Sequence, residues 1–293
     1  MNDSPTPLES LLALLDLERV EEDIFRGFSR SAVVPRVFGG QVAAQALVAA
    51  GRTVPEERAA HSLHAYFLRP GDPGAPIVYQ VDRIRDGRSF TTRRVVAVQH
   101  GQPIFHLSAS FQVHEDGLEH QEPMPDAPDP ETLPAAGELL PAHADRFPDP
   151  TVVDRLLQAR AAVDLRYVED PPFLTAGVRR EPRSQVWFRT CGKLADDPLL
   201  HVCLATYVSD MTLLDSVLLA HGRGGWAVGD VVGASLDHAM WFHRPFRADE
   251  WLLYAQDTPS AGGARGFSRG LIFKQDGTLV ASVAQEGLIR ERR

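Results

Sequence analysis

An aspartate at the start of an apolar, helix-like segment is the residue whose position best suits acid–base chemistry. The segment 210–222 closes at Gly222 and is typical of a largely buried helix. Counting back twelve residues from that glycine (222 − 12 = 210) gives Asp210, whereas the same count from Gly51 (51 − 12 = 39) gives Gly39. A carboxylate at the mouth of a buried helix can take a proton from water, but it can also be an ordinary helix cap. The residues alone leave both interpretations of Asp210 open.

A G-x-S-x-G pattern around Ser268 offers a nucleophile of a different kind. In α/β-hydrolases this pattern places the serine on a sharp turn between a strand and a helix, and a histidine follows later in the chain. Here the residues after Gly270 are typical of a strand and a turn, and the last histidine, His243, precedes Ser268. We therefore expect Ser268 to be an ordinary strand serine.

Several histidines lie close together in the sequence, namely His61 and His64 in the first half and His221, His238 and His243 in the second. None of these pairs has the ligand spacing of a zinc site, so we expect no metal ion. We interpret His238 and His243 as partly buried, hydrogen-bonded residues. A role for His61 or His64 as a catalytic base stays open.

The composition limits the class of protein. A chain of 293 residues can form one large domain or about two, and 44% hydrophobic with 24% charged residues is typical of a globular protein. No run reaches the roughly 18 apolar residues of a membrane helix, so we expect no membrane association. The formal net charge of −9 excludes a general nucleic-acid binder. The two cysteines, Cys191 and Cys203, have the spacing of neither a disulfide framework nor a zinc site. We also find no targeting signal at either end of the sequence, and together these observations favour a cytoplasmic protein.

Each half of the chain has a helix-like segment followed by strand-like runs. The helices are predicted at 39–51 and 210–222, and the strands at 77–81, 91–99 and 104–113, then at 251–256, 266–274 and 279–285. A leading surface helix begins at Thr6, which forms a capping box with Glu9. Eight prolines between Pro123 and Pro150 predict an acidic linker without a central strand or a long helix, and with few residues to join a core.

Three short matches between the halves, in the same order, indicate a duplication. Residues 66–70 resemble 241–245 at an offset of 175, residues 88–90 resemble 265–267 at 177, and residues 109–112 resemble 281–285 at 172. A buried helix wrapped by antiparallel strands is a hot dog unit. We therefore predict an α+β double hot dog fold, with two antiparallel sheets each wrapped around a buried helix. The predicted domains are 1–115, a linker at 116–160, and 161–293.

Seven stretches resemble the acyl-CoA thioesterase II family, whose members are double hot dog enzymes that hydrolyse acyl-coenzyme A. The stretches are VFGGQVAAQAL, HSLHAYFLRPGDPG, IRDGRSFTTRRV, SDMTLLDSVLLAHG, SLDHAMWFHRPF, ARGFSRG and VASVAQEG. The resemblance implies that Asp210, Ser235 and Gln285 bind and activate the attacking water. Some members have threonine where this chain has Ser235. The resemblance also implies an acyl-coenzyme A substrate, no cofactor, and a homo-oligomer, often a tetramer.

The implied residues suit the chemistry of thioester hydrolysis. A thioester carbonyl is more electrophilic than an ester carbonyl, so an oriented water with a carboxylate base can attack it without a covalent serine. Backbone N–H groups at a helix N-terminus could stabilise the oxyanion. The coenzyme A phosphates need cations, and five candidate arginines lie on or beside the strands: Arg88, Arg93, Arg94, Arg265 and Arg269. A solvated surface residue is the default interpretation of each.

Two other functions stay open alongside hydrolysis. A non-catalytic acyl-coenzyme A binding or sensing protein would use the same groove without turnover, but the presence of Asp210, Ser235 and Gln285 together argues against it. A hot dog enoyl-coenzyme A hydratase would need an Asp-x-x-x-x-His arrangement at a helix start. The residue five places after Asp210 is Asp215, so this arrangement is missing there.

Overall fold

The computed structural model describes residues 4–29, 36–149 and 151–292. The chain forms two compact units, each assembled from three separate stretches. The first unit comprises Met1–His120, Leu194–Met211 and Asp237–Arg247, and the second comprises Gln121–Lys193, Thr212–Leu236 and Ala248–Arg293. The predicted domains 1–115, 116–160 and 161–293 are contiguous segments of sequence rather than packing units, and they stay a prediction.

The helices of the described residues are α1 (Pro7–Leu15), α2 (Gly39–Gly51), α3 (Ala136–Ala142), α4 (Thr151–Arg160), α5 (Pro198–Ser209) and α6 (Asp215–His221). None of these helices is long and apolar enough to cross a membrane. The strands are β1 (Glu18–Glu21), β2 (Ile24–Gly27), β3 (Arg58–Phe67), β4 (Ile77–Asp86), β5 (Phe90–Gln99), β6 (Gln102–Val113), β7 (Val163–Tyr167), β8 (Arg183–Thr190), β9 (Val231–Ser235), β10 (Asp237–Phe242), β11 (Leu252–Gly262), β12 (Arg265–Lys274) and β13 (Leu279–Glu291).

Helix α1 begins at the predicted capping box. The Glu9 N–H donates to the Thr6 hydroxyl at 3.2 Å, and the Thr6 N–H donates to the Glu9 carboxylate at 2.7 Å. Pro7 occupies the first turn, where its missing N–H costs no hydrogen bond. The buried residues of the helix are Leu8, Leu11, Leu14 and Leu15. Leu12 is only partly buried.

The first unit contains an antiparallel sheet with the strand order β1-β2-β4-β5-β6-β3-β10. Helix α2 contacts β3, β4, β5 and β6, and its residues from Gly40 to Ala50 are buried. Because small side chains dominate this helix, it can lie close to the sheet on one side and to another helix on the other. The predicted buried helix at 39–51 and the predicted strands at 77–81, 91–99 and 104–113 are confirmed.

Glycines in α2 allow helix α5 to approach closely. A Cβ atom on Gly51 would lie 2.5 Å from Cδ2 of Leu199, and one on Gly40 would overlap the backbone carbonyl oxygen of Tyr207. Since these contacts join the end of α2 to the start of α5 and the start of α2 to the end of α5, the two helices are antiparallel. The chain therefore leaves α5 beside the N-terminus of α2.

The second unit contains the strand order β7-β8-β11-β12-β13, and β9 also pairs with β13. Helix α6 contacts β8, β11 and β12. The predicted strands at 251–256, 266–274 and 279–285 are confirmed, although β11 begins one residue later. The order β8-β11-β12-β13 corresponds to β2-β4-β5-β6 of the first unit.

The predicted helix over 210–222 is wrong in its first part. Helix α5 ends at Ser209, Asp210 follows as its C-terminal cap with φ −85° and ψ −1°, and α6 begins only at Asp215. The intervening residues form tight turns, in which the Asp215 N–H donates to the Thr212 carbonyl at 2.9 Å. Because residues 212–214 stay buried through these turns, the hydrophobic pattern does not reveal the break. Asp210 is therefore not the N-cap of the second helix.

The proline-rich segment has more structure than predicted. It contains a 3-10 turn at Pro130–Thr132 and the short helix α3, and it has no strand within its described residues. Leu140 and Phe147 pack with Val153 and Phe173 in a buried cluster, so the few apolar residues of this segment do contribute to the core. Leu140 and Phe147 each come directly before a proline, and Pro141 lies inside α3. Pro150 lies outside the described residues.

Candidate active site

Asp210 lies at the N-terminus of α2 in the first unit. Its Oδ2 atom is 2.6 Å from the point that a Cβ atom on Gly39 would occupy. The same point is 2.9 Å from Cε1 of Phe67. Only a glycine at position 39 leaves room for both side chains. The Asp210 carboxylate, which follows α5, therefore packs directly against the glycine at the start of α2.

The position of Asp210 has an electrostatic consequence. Helix α2 has 13 residues, and its N-terminal N–H groups carry the positive end of the helix dipole. Its N-cap, Phe38, makes no side-chain hydrogen bond to these groups. Asp210 is partly exposed there, so its carboxylate combines access to solvent with a favourable field. Aromatic rings surround this end of the helix, including Phe38 and Tyr207, whose centroids are 5.2 Å apart.

Ser235 and Gln285 lie on neighbouring strands of the second unit. Ser235 on β9 is directly opposite Gly287 on β13, and the Leu236 N–H donates to the Glu286 carbonyl at 2.9 Å. Because side chains alternate along a strand, Gln285 and Gly287 share a face with Ser235. Diagonal neighbours of this kind are about 7–8 Å apart. The structure thus brings two of the three predicted site residues to one face, with Gln285 buried and Ser235 partly exposed.

Gly287, on the same strand as Gln285, contacts the turn 212–214. A Cβ atom on Gly287 would overlap the side chain of Leu214. The glycine of the Gln-Glu-Gly ending therefore lets the 212–214 turn pack directly on β13, next to Gln285. The structure places Asp210 itself in the first unit and the Ser235–Gln285 pair in the second.

Ser268 is excluded as a nucleophile. It lies within β12, has no exposed surface, and pairs through its hydroxyl with that of Ser216 at 3.0 Å. The G-x-S-x-G pattern is therefore part of a strand without the sharp turn that a nucleophile needs. The prediction of an ordinary strand serine is confirmed.

The histidines have different environments. His238 is buried, with its Nε2 atom 2.8 Å from the hydroxyl oxygen of Ser209, as predicted for a hydrogen-bonded core histidine. His243 follows the end of β10 and is more exposed than His238, although partial burial still lowers its pKa. His61 is partly buried, which lowers its pKa, and its Nε2 atom is 2.8 Å from the Ser110 hydroxyl oxygen. His64 is exposed and packs edge-on against the ring of Trp241.

No three His, Cys, Asp or Glu side chains in the part of the chain that the structure describes are close enough to share a metal ion. Four of the candidate arginines pair with acidic residues: Arg93 with Asp86 at 2.6 Å, Arg94 with Asp82 at 3.8 Å, Arg265 with Glu286 at 2.9 Å and Arg269 with Asp257 at 2.6 Å. Arg93 is buried and also donates to Thr53, which fixes the end of α2 to the sheet. The interpretation of Arg93 as a solvated surface residue is therefore wrong.

Two features of the site went unrecognised in the sequence. Helix α5 carries a start signal, since Asp197 caps it and Pro198 occupies its first turn. Asp215 is the first residue of α6, and burial raises its pKa to about 7. A local pattern gives no signal of this desolvation, because it depends on the residues that the fold packs around Asp215.

Comparisons with known proteins identify the chain. A family model described as an acyl-CoA thioesterase matches residues 157–288, and one described as an acyl-CoA thioesterase N-terminal domain matches residues 29–112. Human acyl-coenzyme A thioesterase 8 is 42% identical over 98% of this chain and 92% of its own length. The chain belongs to the acyl-CoA thioesterase II family. It is a thioester hydrolase.

Solved structures agree with this family and define the fold. The acyl-CoA thioesterase II TesB2 from Mycobacterium marinum is 45% identical, with a TM-score of 0.78 over 96% of this chain and 98% of that one. A protein from Alicyclobacillus acidocaldarius described as having a hot dog fold is 19% identical, with a TM-score of 0.76 over 97% of this chain and 99% of its own. The thioesterase described here has the hot dog fold.

Proposed function

We propose that this thioesterase hydrolyses acyl-coenzyme A by direct attack of a water molecule, with Asp210 as the general base and Ser235 and Gln285 orienting the water. The observation that carries the proposal is the contact between Asp210 and the glycine that begins α2. It puts the carboxylate of a partly exposed aspartate at the helix N-terminus, where the N-cap residue Phe38 makes no side-chain hydrogen bond to the backbone N–H groups. A base and donors for a developing oxyanion are thereby side by side.

The reaction needs no covalent intermediate. Asp210 takes a proton from water as the water oxygen bonds to the thioester carbonyl carbon, and the carbonyl oxygen becomes an oxyanion at the start of α2. The C–S bond then breaks, the thiolate of coenzyme A leaves, and the proton held by Asp210 returns to the products. The burial of Ser268 is consistent with water as the nucleophile.

We also propose that the two units arose by duplication of one hot dog unit. The strand order β2-β4-β5-β6 in the first unit and β8-β11-β12-β13 in the second support this proposal. The two units contribute different residues to the proposed chemistry, because Gly39 and Asp210 both lie in the first unit, whereas Ser235 and Gln285 lie in the second.

The test follows release of free thiol from acyl-coenzyme A of short, medium and long chain length. Steady turnover is expected for at least part of the series, with Asp210→Asn folded normally but slower by about a thousandfold or more. Ser268→Ala serves as the matched control and should retain its rate. Binding of intact acyl-coenzyme A without any thiol release would refute hydrolysis and favour a sensing protein, whereas a fully active Asp210→Asn protein would refute Asp210 as the base.

A further inference from the structure

A buried hydrogen bond joins the residue before Asp210 to strand β10. Ser209 is the last residue of α5, and its hydroxyl oxygen is 2.8 Å from Nε2 of His238. Both residues are buried, with exposed fractions of 0% for Ser209 and 1% for His238. The contact lies within the first unit and outside the set of residues to which the proposed reaction gives a role.

The Ser209 hydroxyl has contacts on more than one side. It lies 3.0 Å from the carbonyl oxygen of Thr206, one turn earlier in α5, and 3.4 Å from the sulfur of Met240 on β10. Its single proton can be donated to only one acceptor at a time. When the proton goes to the Thr206 carbonyl, the Nε2–H of His238 donates to the hydroxyl oxygen. The last turn of α5 is then fixed to β10 by a side chain with few rotatable bonds.

Asp210 follows this turn with no intervening residue. Any rotation or unwinding at Ser209 moves the Asp210 backbone, and with it the carboxylate that lies against Gly39. The space at Gly39 constrains the carboxylate from the side of α2, and the bond to His238 constrains its backbone from the side of β10. Displacement of a catalytic group by about 1 Å can lower a rate by roughly a hundredfold.

We infer that His238 is a positioning residue, which holds the end of α5 through Ser209 so that Asp210 points at the start of α2. The inference rests on the proposed function of Asp210 and extends it. His238 lies near the start of β10, three residues after Ser235, which ends β9. A histidine suits this role because its Nε2 atom, at the end of the ring away from the backbone, can reach the Ser209 hydroxyl from the strand.

The test compares four variants of the full chain with a medium-chain acyl-coenzyme A. His238→Phe keeps a ring without the hydrogen bond, Ser209→Ala removes the partner, and His238→Gln restores a donor near the position of Nε2. We expect the first two to lower kcat by about tenfold to a hundredfold with KM changed by less than about twofold. His238→Gln should recover most of the rate. The double variant His238→Phe with Ser209→Ala should be no slower than the slower single variant, because both remove one interaction.

The matched control is Ser216→Ala in α6. Ser216 is also a buried helical serine whose hydroxyl donates to the carbonyl three residues earlier, here Leu213 at 3.0 Å, and contacts a second side chain. Its kcat should stay at the wild-type value. If His238→Phe does not fold, Ser209→Ala carries the test alone. Additive losses in the double variant, or losses that His238→Gln does not repair, would overturn the inference.

The Asp210→Asn variant, assayed in the same series, separates the two hypotheses. If Asp210→Asn keeps the full rate, the proposed base is refuted and the role of His238 falls with it. If Asp210→Asn is inactive while folded His238→Phe and Ser209→Ala proteins turn over at the wild-type kcat, only the positioning role of His238 is refuted.

Discussion

Gly39 and Asp210 are in contact although they are 171 positions apart in the chain (210 − 39), and the Asp210 carboxylate occupies the space that a methyl group at position 39 would need. A Cβ atom there would lie 2.6 Å from Oδ2, well inside van der Waals contact. The relationship makes the position of a proposed catalytic group depend on the absence of a side chain in another element. It therefore predicts a loss of activity from a substitution that adds no charge and removes no functional group.

Gly39→Ala is expected to lower kcat by about a hundredfold, because the new methyl group must displace the carboxylate from the start of α2. Alanine has a higher helix propensity than glycine, so the helix itself should tolerate the change. Thiol release and thermal unfolding measured on the same preparation test this expectation. A Gly39→Ala protein with wild-type kcat would show that the observed carboxylate position is unimportant for turnover.

The control for this substitution is Gly137→Ala. Gly137 is exposed in α3, and a Cβ atom there would meet nothing within 4 Å. We expect unchanged kcat and a gain of up to about 1 kcal/mol in the free energy of unfolding, since alanine lowers the entropy of the unfolded chain. The two variants share a chemical change and differ only in what the methyl group meets.

Gly40→Ala should instead destabilise the first unit. Here the added Cβ atom would overlap the backbone carbonyl oxygen of Tyr207, which cannot rotate away as a side chain can. Helices α2 and α5 would have to separate, at a cost of about 1–3 kcal/mol in the free energy of unfolding. Urea unfolding measures the loss. Equal stability of Gly40→Ala and wild type would contradict the close helix packing seen in the structure.

Some elements of the fold could be predicted from the sequence, and others could not. Helix α2 was predicted at its observed bounds, because an alanine-rich run closing at Gly51 depends on local signals. The six predicted strands were likewise found, since β-branched residues and turns mark them. The helix predicted at 210–222 was wrong at its start because burial of residues 212–214 continues through a turn, so hydrophobicity could not separate turn from helix.

The candidate site depended more on tertiary packing. Asp210 became a candidate through a comparison of two predicted helix starts, although it follows the end of α5 in the structure. Its contact with Gly39 requires α5 and α2 to pack antiparallel, which no local sequence pattern predicts. Ser235 and Gln285 were assigned only through a family resemblance. Their shared face follows from the register of β9 against β13, which a sequence of alternating residues does not determine by itself.

Ser235→Thr should retain most of the activity, whereas Ser235→Ala should lose about tenfold to a hundredfold in kcat. Both serine and threonine supply a hydroxyl that can orient water, and threonine suits the strand position at the end of β9. Alanine keeps the strand and removes the hydroxyl. Steady-state kinetics on the three proteins test the role. Similar losses in the threonine and alanine variants would indicate that packing at position 235, and not the hydroxyl, governs the rate.

Asp215 predicts a pH dependence of stability that is separate from catalysis. Burial raises the pKa of this carboxyl from 3.8 to about 7, while the positive charge of Arg160 acts in the opposite direction. Arg160 also donates to the Tyr167 hydroxyl at 3.2 Å, and burial raises the pKa of that phenol. Between the two Asp215 values the folded state binds a proton that the unfolded state releases. The contribution of Asp215 therefore lowers the free energy of unfolding as pH rises through this window, by at most about 1.4 kcal/mol per pH unit.

Asp215→Asn should remove this contribution. The variant keeps the shape of the protonated side chain without its titration, so its stability relative to wild type should increase from pH 5 toward pH 7 and then level off. Urea unfolding at several pH values measures the free energy of unfolding of both proteins. Subtracting one profile from the other removes the contribution of every other titrating group that the substitution leaves undisturbed. Parallel pH profiles for the two proteins would show that Asp215 is already ionised in the folded state, with Arg160 outweighing the cost of burial.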